Sequence, residues 1–315
     1  MLHGVGREED AADRRRSESA LPQEYVPHIR IKLGHYLICD MDYTVAEAES
    51  PEEKFRIVLE LSDNMPDKAD LLDNCGGRFL RSFLHNTNRK QDINNCILAY
   101  ESAVRLTPQG HSDMSGRLNM LGRSFFHCFE LTGDLADISN AISYQQKVLN
   151  LTPEGHADMP LWLNNLRNSF QSRFECTGDL ADISNAISYQ QKAVHLTPEG
   201  HPGMPLMLSY LGISLQIRFE HTGDLADISN AISYQKKVVH LTPEGHTKLP
   251  SQLNNLGISF LRRFEHTGDL DDISNAISYQ QKVVHLTPEG HPSIPGYLNN
   301  LGVSFQRCFK HRRSC

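Results

Sequence analysis

The stretch Gly133-Asp134-Leu135-Ala136-Asp137-Ile138-Ser139-Asn140-Ala141-Ile142-Ser143-Tyr144-Gln145-Gln146-Lys147 returns almost letter for letter at Gly178–Lys192, Gly223–Lys237 and Gly268–Lys282, each time after 45 residues. A fixed period of roughly 20–50 residues marks one supersecondary unit stacked on copies of itself, each burying its neighbour's apolar face. The chain reads as a tandem array, which offers a long surface rather than a single pocket.

One unit, Pro160 to Pro198, shows how the copies fold. Leu180, Ile183, Ala186, Ile187, Gln190, Ala193 and Val194 follow the i, i+3, i+4, i+7 spacing of a helical stripe. Asp179 can cap that helix, and Gly178 before it suits the left-handed residue that ends the previous one. The helix stops at Leu196 because Pro198 donates no backbone bond and pushes Thr197 out of the helical region. Upstream, Pro160 opens another helix as a first-turn proline, with Leu163, Leu166, Phe170 and Phe174 as its stripe. Its expected end at Glu175 leaves only Cys176, Thr177 and Gly178 as a link, which forces the pair antiparallel, about 16 residues per arm and ~24 Å tall.

The expectation is therefore all-α, with hairpins over 67–108, 112–153, 157–198, 202–243 and 247–288 and a lone helix Pro295–Phe309 closing an array that spans 67–309. Residues 1–24, with Arg14-Arg15-Arg16 among acids, read as a disordered tail. Residues 25–66 read as a degenerate repeat or cap, helix being favoured over 28–63 although Ile29, Ile31 and Leu33 alternate like a strand. Residues 310–315 read as a basic tail.

Composition bounds the function classes. With 38 acidic against 31 basic side chains and a net charge of -7, there is no basic stripe to neutralise a phosphate backbone, so nucleic acid is not the expected partner. No run approaches the ~20 apolar residues of a membrane span, and the start lacks a secretory stretch. A cytoplasmic protein is expected. The 7 cysteines form no Cys-x-x-Cys pair and read as reduced thiols, Cys96 standing where later units have Ala141, Ala186, Ala231 and Ala276. No phosphate loop, nucleophile elbow or protease-like Cys and His context is present, so no catalytic residue and no cofactor is expected.

Each unit resembles a tetratricopeptide repeat. Leu208, Leu211-Gly212 and Leu215 match the family's first helix, with Leu in place of its aromatic, and Ala231, Tyr234, Val238 and Pro243 match the second. The units are longer than usual, as in kinesin light chains. The resemblance implies a right-handed α-solenoid whose first helices line a concave groove. The Thr-Pro-Glu-Gly-His and Gly-Asp-Leu-Ala-Asp-Ile wording is similar to long fungal arrays that often accompany a caspase-like (CHAT) domain, none of which is visible in this sequence.

Aligned copies vary in the first helix far more than in the second. Arg117, Trp162, Met207, Gln252 and Tyr297 form one varying set, and Arg123, Asn168, Ile213, Ile258 and Val303 a second. His127, Ser172, Ile217, Arg262 and Arg307 form a third, one helical turn from the second. Either a partner is read there or exposed positions have drifted since duplication. Beside these sets recurs a pair of asparagines, Asn164-Asn165, Asn254-Asn255 and Asn299-Asn300, with Asn119 and Ser209 in the other units.

Asn is a mediocre helix former, so its recurrence asks for a reason. Its amide complements a peptide unit, so an Asn row along a groove suits an extended peptide, and it is similar to the Asn ladders that do this in the tetratricopeptide superhelix of the O-GlcNAc transferase. Equally, the amides can bond between adjacent repeats as mortar. The chaperone-binding type of repeat places Lys and Arg at these positions, which this chain lacks. The candidate groove residues are Asn119, Arg123, Asn164, Asn165, Asn168, Ile213, Asn254, Asn255, Ile258, Arg262, Asn299, Asn300 and Arg307.

Histidines recur at His111, His156, His201, His246 and His291 in the loop and at His195, His240 and His285 near the second helix's end. Equivalent residues of stacked helices sit at least ~8–10 Å apart, too far to share one metal ion, so loop packing is the expected role and no metal site is expected. The functional expectation is a non-enzymatic scaffold binding a peptide or protein in the groove. The alternative is the sensor or oligomerisation arm of a CHAT-type signalling protein. Ala231 on the apolar stripe is expected to tolerate change less well than Asp227.

Overall fold

The computed structural model describes residues 50–85, 89–153 and 155–314. The tail expected over 1–24 and the helix expected upstream of Ser50 lie outside the described residues. Among the described residues there are twelve helices and no strand: α1 (Pro51–Glu60), α2 (Lys68–His85), α3 (Lys90–Leu106), α4 (Met114–Thr132), α5 (Leu135–Leu151), α6 (Met159–Thr177), α7 (Leu180–Leu196), α8 (Met204–Thr222), α9 (Leu225–Leu241), α10 (Leu249–Thr267), α11 (Leu270–Leu286) and α12 (Ile294–Ser314). Each packs chiefly on its neighbours in sequence, the pattern of an all-α solenoid.

Four hairpin corners, α4–α5, α6–α7, α8–α9 and α10–α11, are built from the same three residues. Gly133, Gly178, Gly223 and Gly268 take φ of 70 or 71°, the left-handed region that ends a helix without a Cβ penalty. The next residue caps the second helix: Asp134, Asp179, Asp224 and Asp269 each accept from a backbone N–H at 2.9 Å. The preceding Thr hydroxyl donates back to its own helix and accepts the Asp N–H, as Thr177 does at 2.9 and 3.2 Å. The first helix thus runs to Thr177 rather than Glu175, and the arms are 19 and 17 residues long. Likewise α12 continues to Ser314, through the residues read as a basic tail.

The core is continuous from unit to unit. Leu166, Phe170 and Phe174 meet Ile183, Ala186 and Ile187 within one cluster that extends from Phe55 to Ala276. The small residue at the crossing is fully buried in each copy, including Cys96, whose thiol burial pushes up to about 12. The stripe differs from expectation at one end: Leu180, the first residue of α7, is exposed. The family's second-helix aromatic is also displaced by one residue. The buried position one turn after Ala231 belongs to Gln235, whose Cγ lies where a Cβ on Gly212 would stand 3.0 Å away. Tyr144, Tyr189 and Tyr279 are half-buried and stack on Phe125, Phe170 and Phe260 at 5.6, 5.7 and 5.8 Å.

An ion pair spans each of three corners. Arg173, Arg218 and Arg263 donate through Nε and Nη2 to both oxygens of Asp182, Asp227 and Asp272 at 2.6–2.8 Å. These aspartates are buried, so Asp227 is a packed residue like Ala231. The bidentate carboxylates hold the three guanidiniums above their ordinary range.

Candidate functional site

The thirteen candidate residues all lie on the first helices, α4, α6, α8, α10 and α12, and the structure divides the asparagines into two groups. Asn165 Nδ2 donates to the buried Asn119 Oδ1 of the preceding unit at 3.1 Å, and Asn300 Nδ2 to the buried Asn254 Oδ1 at 3.0 Å. These four amides knit adjacent repeats. Ser214 and Ser259 extend the seam by donating to Gln171 and Gln216 of the preceding units at 3.4 and 2.9 Å. By contrast, among the described residues the side chains of Asn164, Asn168, Asn255 and Asn299 make no hydrogen bond, although the first three are half-buried. Their amide atoms stay open to solvent, which leaves donors and acceptors available to something outside the fold.

Cavities open along the same row. One of about 1250 Å³ is lined by Asn119, Arg123, Arg117 and Trp162, another of about 560 Å³ by Asn164, Met207 and Tyr210, and a third of about 580 Å³ by Ser209, Gln252 and Asn255. The varying positions play different parts. In the first set, Arg117 and Trp162 are buried: Arg117 pairs with Asp70 and donates to Thr107, and Trp162 stacks on His156 at 4.8 Å. That set packs units together rather than displaying a code. In the second, Arg123, Asn168, Ile213, Ile258 and Val303 are half-buried and change along the array from polar to apolar. In the third, the charges are already matched: Arg262 meets Glu265 at 3.0 Å and Glu220 at 3.5 Å, and Arg307 meets Glu265 at 2.8 Å.

One residue was missed in the sequence. Arg167 stands where the other units have Gly122, Gly212, Gly257 and Gly302. It is 4% exposed, donates to Gln171 Oε1 at 2.6 Å and places its guanidinium 4.4 Å from the Tyr210 ring. Its Nε has no partner, and burial pushes its pKa down to about 10, so the charge persists at neutral pH without a carboxylate opposite it. The break in the Leu-Gly pattern was the signal that would have found it.

The loop histidines serve the backbone. Nδ1 of His111, His156, His201, His246 and His291 accepts from the N–H two residues on at 3.0–3.2 Å, closing the turn that launches each first helix. A different series, His221, His266 and His311, packs against Phe174, Phe219 and Phe264 of the preceding unit, with ring centroids 5.0, 4.6 and 5.2 Å apart. Among the described residues no group of His, Cys, Asp or Glu is arranged to hold a metal ion, and no helix is long and apolar enough to cross a membrane.

This geometry defines the fold as a TPR-like helical repeat array. Solved structures of the same kind include a kinesin light chain of Podosopora anserina with nearly identical TPR-like repeats, 11% identical, matching 71% of this chain and 96% of that one at a TM-score of 0.50. BtubC (BKLC) from P. vanneervenii is 14% identical, with 79% of this chain and 92% of that one matched at a TM-score of 0.51. At such identities the likeness shows the fold alone. No protein-family profile matches the chain, and no curated protein matches it.

Proposed function

We propose that the chain is a non-enzymatic scaffold that binds an extended segment of a partner protein along the first-helix face. The observation that carries this reading is the set of unbonded side chains Asn164, Asn168, Asn255 and Asn299, beside a seam in which other asparagines of the same helices bond from one repeat to the next. Side-chain amides grip peptide units whatever the ligand's sequence. The second varying set then selects side chains. Arg123 favours an acidic residue at one end, and Ile213, Ile258 and Val303 favour apolar residues at the other.

A display selection of random peptides against the full chain tests this. The reading expects extended peptides with an acidic and an apolar end, whose binding is lost when Asn164, Asn168 and Asn255 are replaced together by Ala. Recovery of no peptide, or of peptides indifferent to those changes, would remove it. No observation among the described residues favours the signalling-arm alternative.

A further inference from the structure

The unbonded amides of Asn164 and Asn255 trace to one helix, α8. Each seam bond joins the first asparagine position of one unit to the second position of the next, 46 residues on: Asn119 to Asn165, and Asn254 to Asn300. The same register pairs Asn164 with Tyr210 and Ser209 with Asn255. Neither replacement bonds its counterpart, so the seam lapses on both flanks of α8. A cavity opens at each lapse, one of about 560 Å³ lined by Asn164 and Tyr210, the other of about 580 Å³ lined by Ser209 and Asn255.

The walls of the first cavity are held in place. Leu161, Leu196, Leu206 and Met207 line it beside the Tyr210 ring, and among the described residues no Lys, Arg, Asp or Glu does. Arg167, which replaces the glycine of the other units, places its guanidinium 4.4 Å from that ring and is itself tied to Gln171. Gln190 Nε2 donates to Met207 O at 3.0 Å, and Thr197 Oγ1 to Met207 Sδ at 3.3 Å. The counterparts Gln235 and Gln280 leave the same amide nitrogen unpaired. The substitutions that open the seam therefore come with contacts that fix what they expose.

Resting on the scaffold reading above, we infer that α8 anchors the bound segment. One large apolar side chain, Phe, Leu or Met, enters the α6–α8 cavity, Asn164 bonds the backbone beside it, and Asn255 bonds it again further on. A cavity of this size takes an aromatic side chain with its flanking backbone, and its uncharged lining suits nothing ionic. Two helix spacings of ~8–10 Å separate α6 from α10, which an extended chain crosses in about five or six residues.

A labelled synthetic copy of a display-selected peptide, titrated into the full chain by anisotropy beside the same peptide with its apolar residue replaced by Ala, tests this. The Ala peptide should bind about tenfold or more weakly. Ser209→Asn restores the lapsed pair with Asn255 and removes no hydrogen bond, so the chain should melt as the parent or slightly higher while affinity falls about threefold or more. Arg167→Gly with Tyr210→Asn returns the junction to the pattern of α4 and α6, and should abolish the preference for the apolar residue. Ser209→Asn keeps the test decisive if that double variant melts early. A peptide that depends on the asparagines yet is indifferent to both variants and to its own apolar residue overturns the inference and leaves the groove reading standing. Recovery of no peptide removes both. Self-association of the chain that Ser209→Asn abolishes also overturns it, by assigning α8 to a second copy.

Discussion

Asp227→Ala removes one half of the ion pair that bridges the α8–α9 corner. The carboxylate is 3% exposed and accepts two bonds of 2.7 Å from Arg218, whose Nη1 also reaches Ser184 in the preceding unit at 3.4 Å. Deleting one partner of a buried pair costs about 3–5 kcal/mol, because the other charge is left uncompensated. The Arg218 side chain is 26% exposed and can partly rehydrate, which lowers the expected loss to about 2–3 kcal/mol. That lies in the upper part of the ~1–3 kcal/mol expected of overpacking by Ala231→Leu. The α4–α5 unit supplies an internal control, since Cys128 occupies the arginine position and Asp137 is only half-buried. Asp137→Ala should therefore cost under about 1 kcal/mol. Urea melts of the full chain by circular dichroism measure both. Equal small losses for Asp227→Ala and Asp137→Ala would refute the view that these pairs lock the corners.

Gly212→Leu should destabilise by about 1–3 kcal/mol in the same melts, because its Cβ would stand 3.0 Å from Gln235 Cγ in a packed interface. Asp63 is held at about 2 by hydrogen bonds from Lys68 and then Arg105. Its folded pKa is depressed, so its stabilising contribution is complete above the model-peptide value of 3.8 and is lost as pH falls through about 2; a carboxyl titration midpoint near 4 by NMR would contradict this. With thiol reagent at neutral pH, exposed Cys176 should react at once, whereas Cys96, buried and pushed up to about 12, should react only on unfolding.

Much of the fold was legible because its determinants are local. Gly178, Asp179, Pro160 and Pro198 each act through backbone conformation within a few residues, so caps and hairpins could be read directly. Helix ends were misplaced by two residues because Thr177 bonds back to Arg173, continuing a turn that its β-branch would not suggest. The ion pairs were present in the sequence as Arg173 and Asp182 nine residues apart, but their contact depends on the corner geometry and on burial that only packing supplies. The division of the asparagines was not legible at all. Asn165 meets Asn119 only because stacking brings successive first helices side by side, and nothing local distinguishes it from Asn164.

That division is the centre of the functional account, and one paired measurement tests it. Asn119→Ala with Asn254→Ala removes both seam acceptors, leaving Asn165 and Asn300 amides unpaired at about 1–2 kcal/mol each, less about 0.5 kcal/mol each regained from helix propensity. Asn164→Ala, Asn168→Ala and Asn255→Ala together remove no hydrogen bond within the described fold. Thermal melts and titration with a display-selected peptide are run on both variants of the full chain. The account predicts that the seam variant melts lower, and that the row variant melts as the parent or slightly above it and loses the peptide. A row variant that keeps its affinity while its midpoint falls would contradict the account.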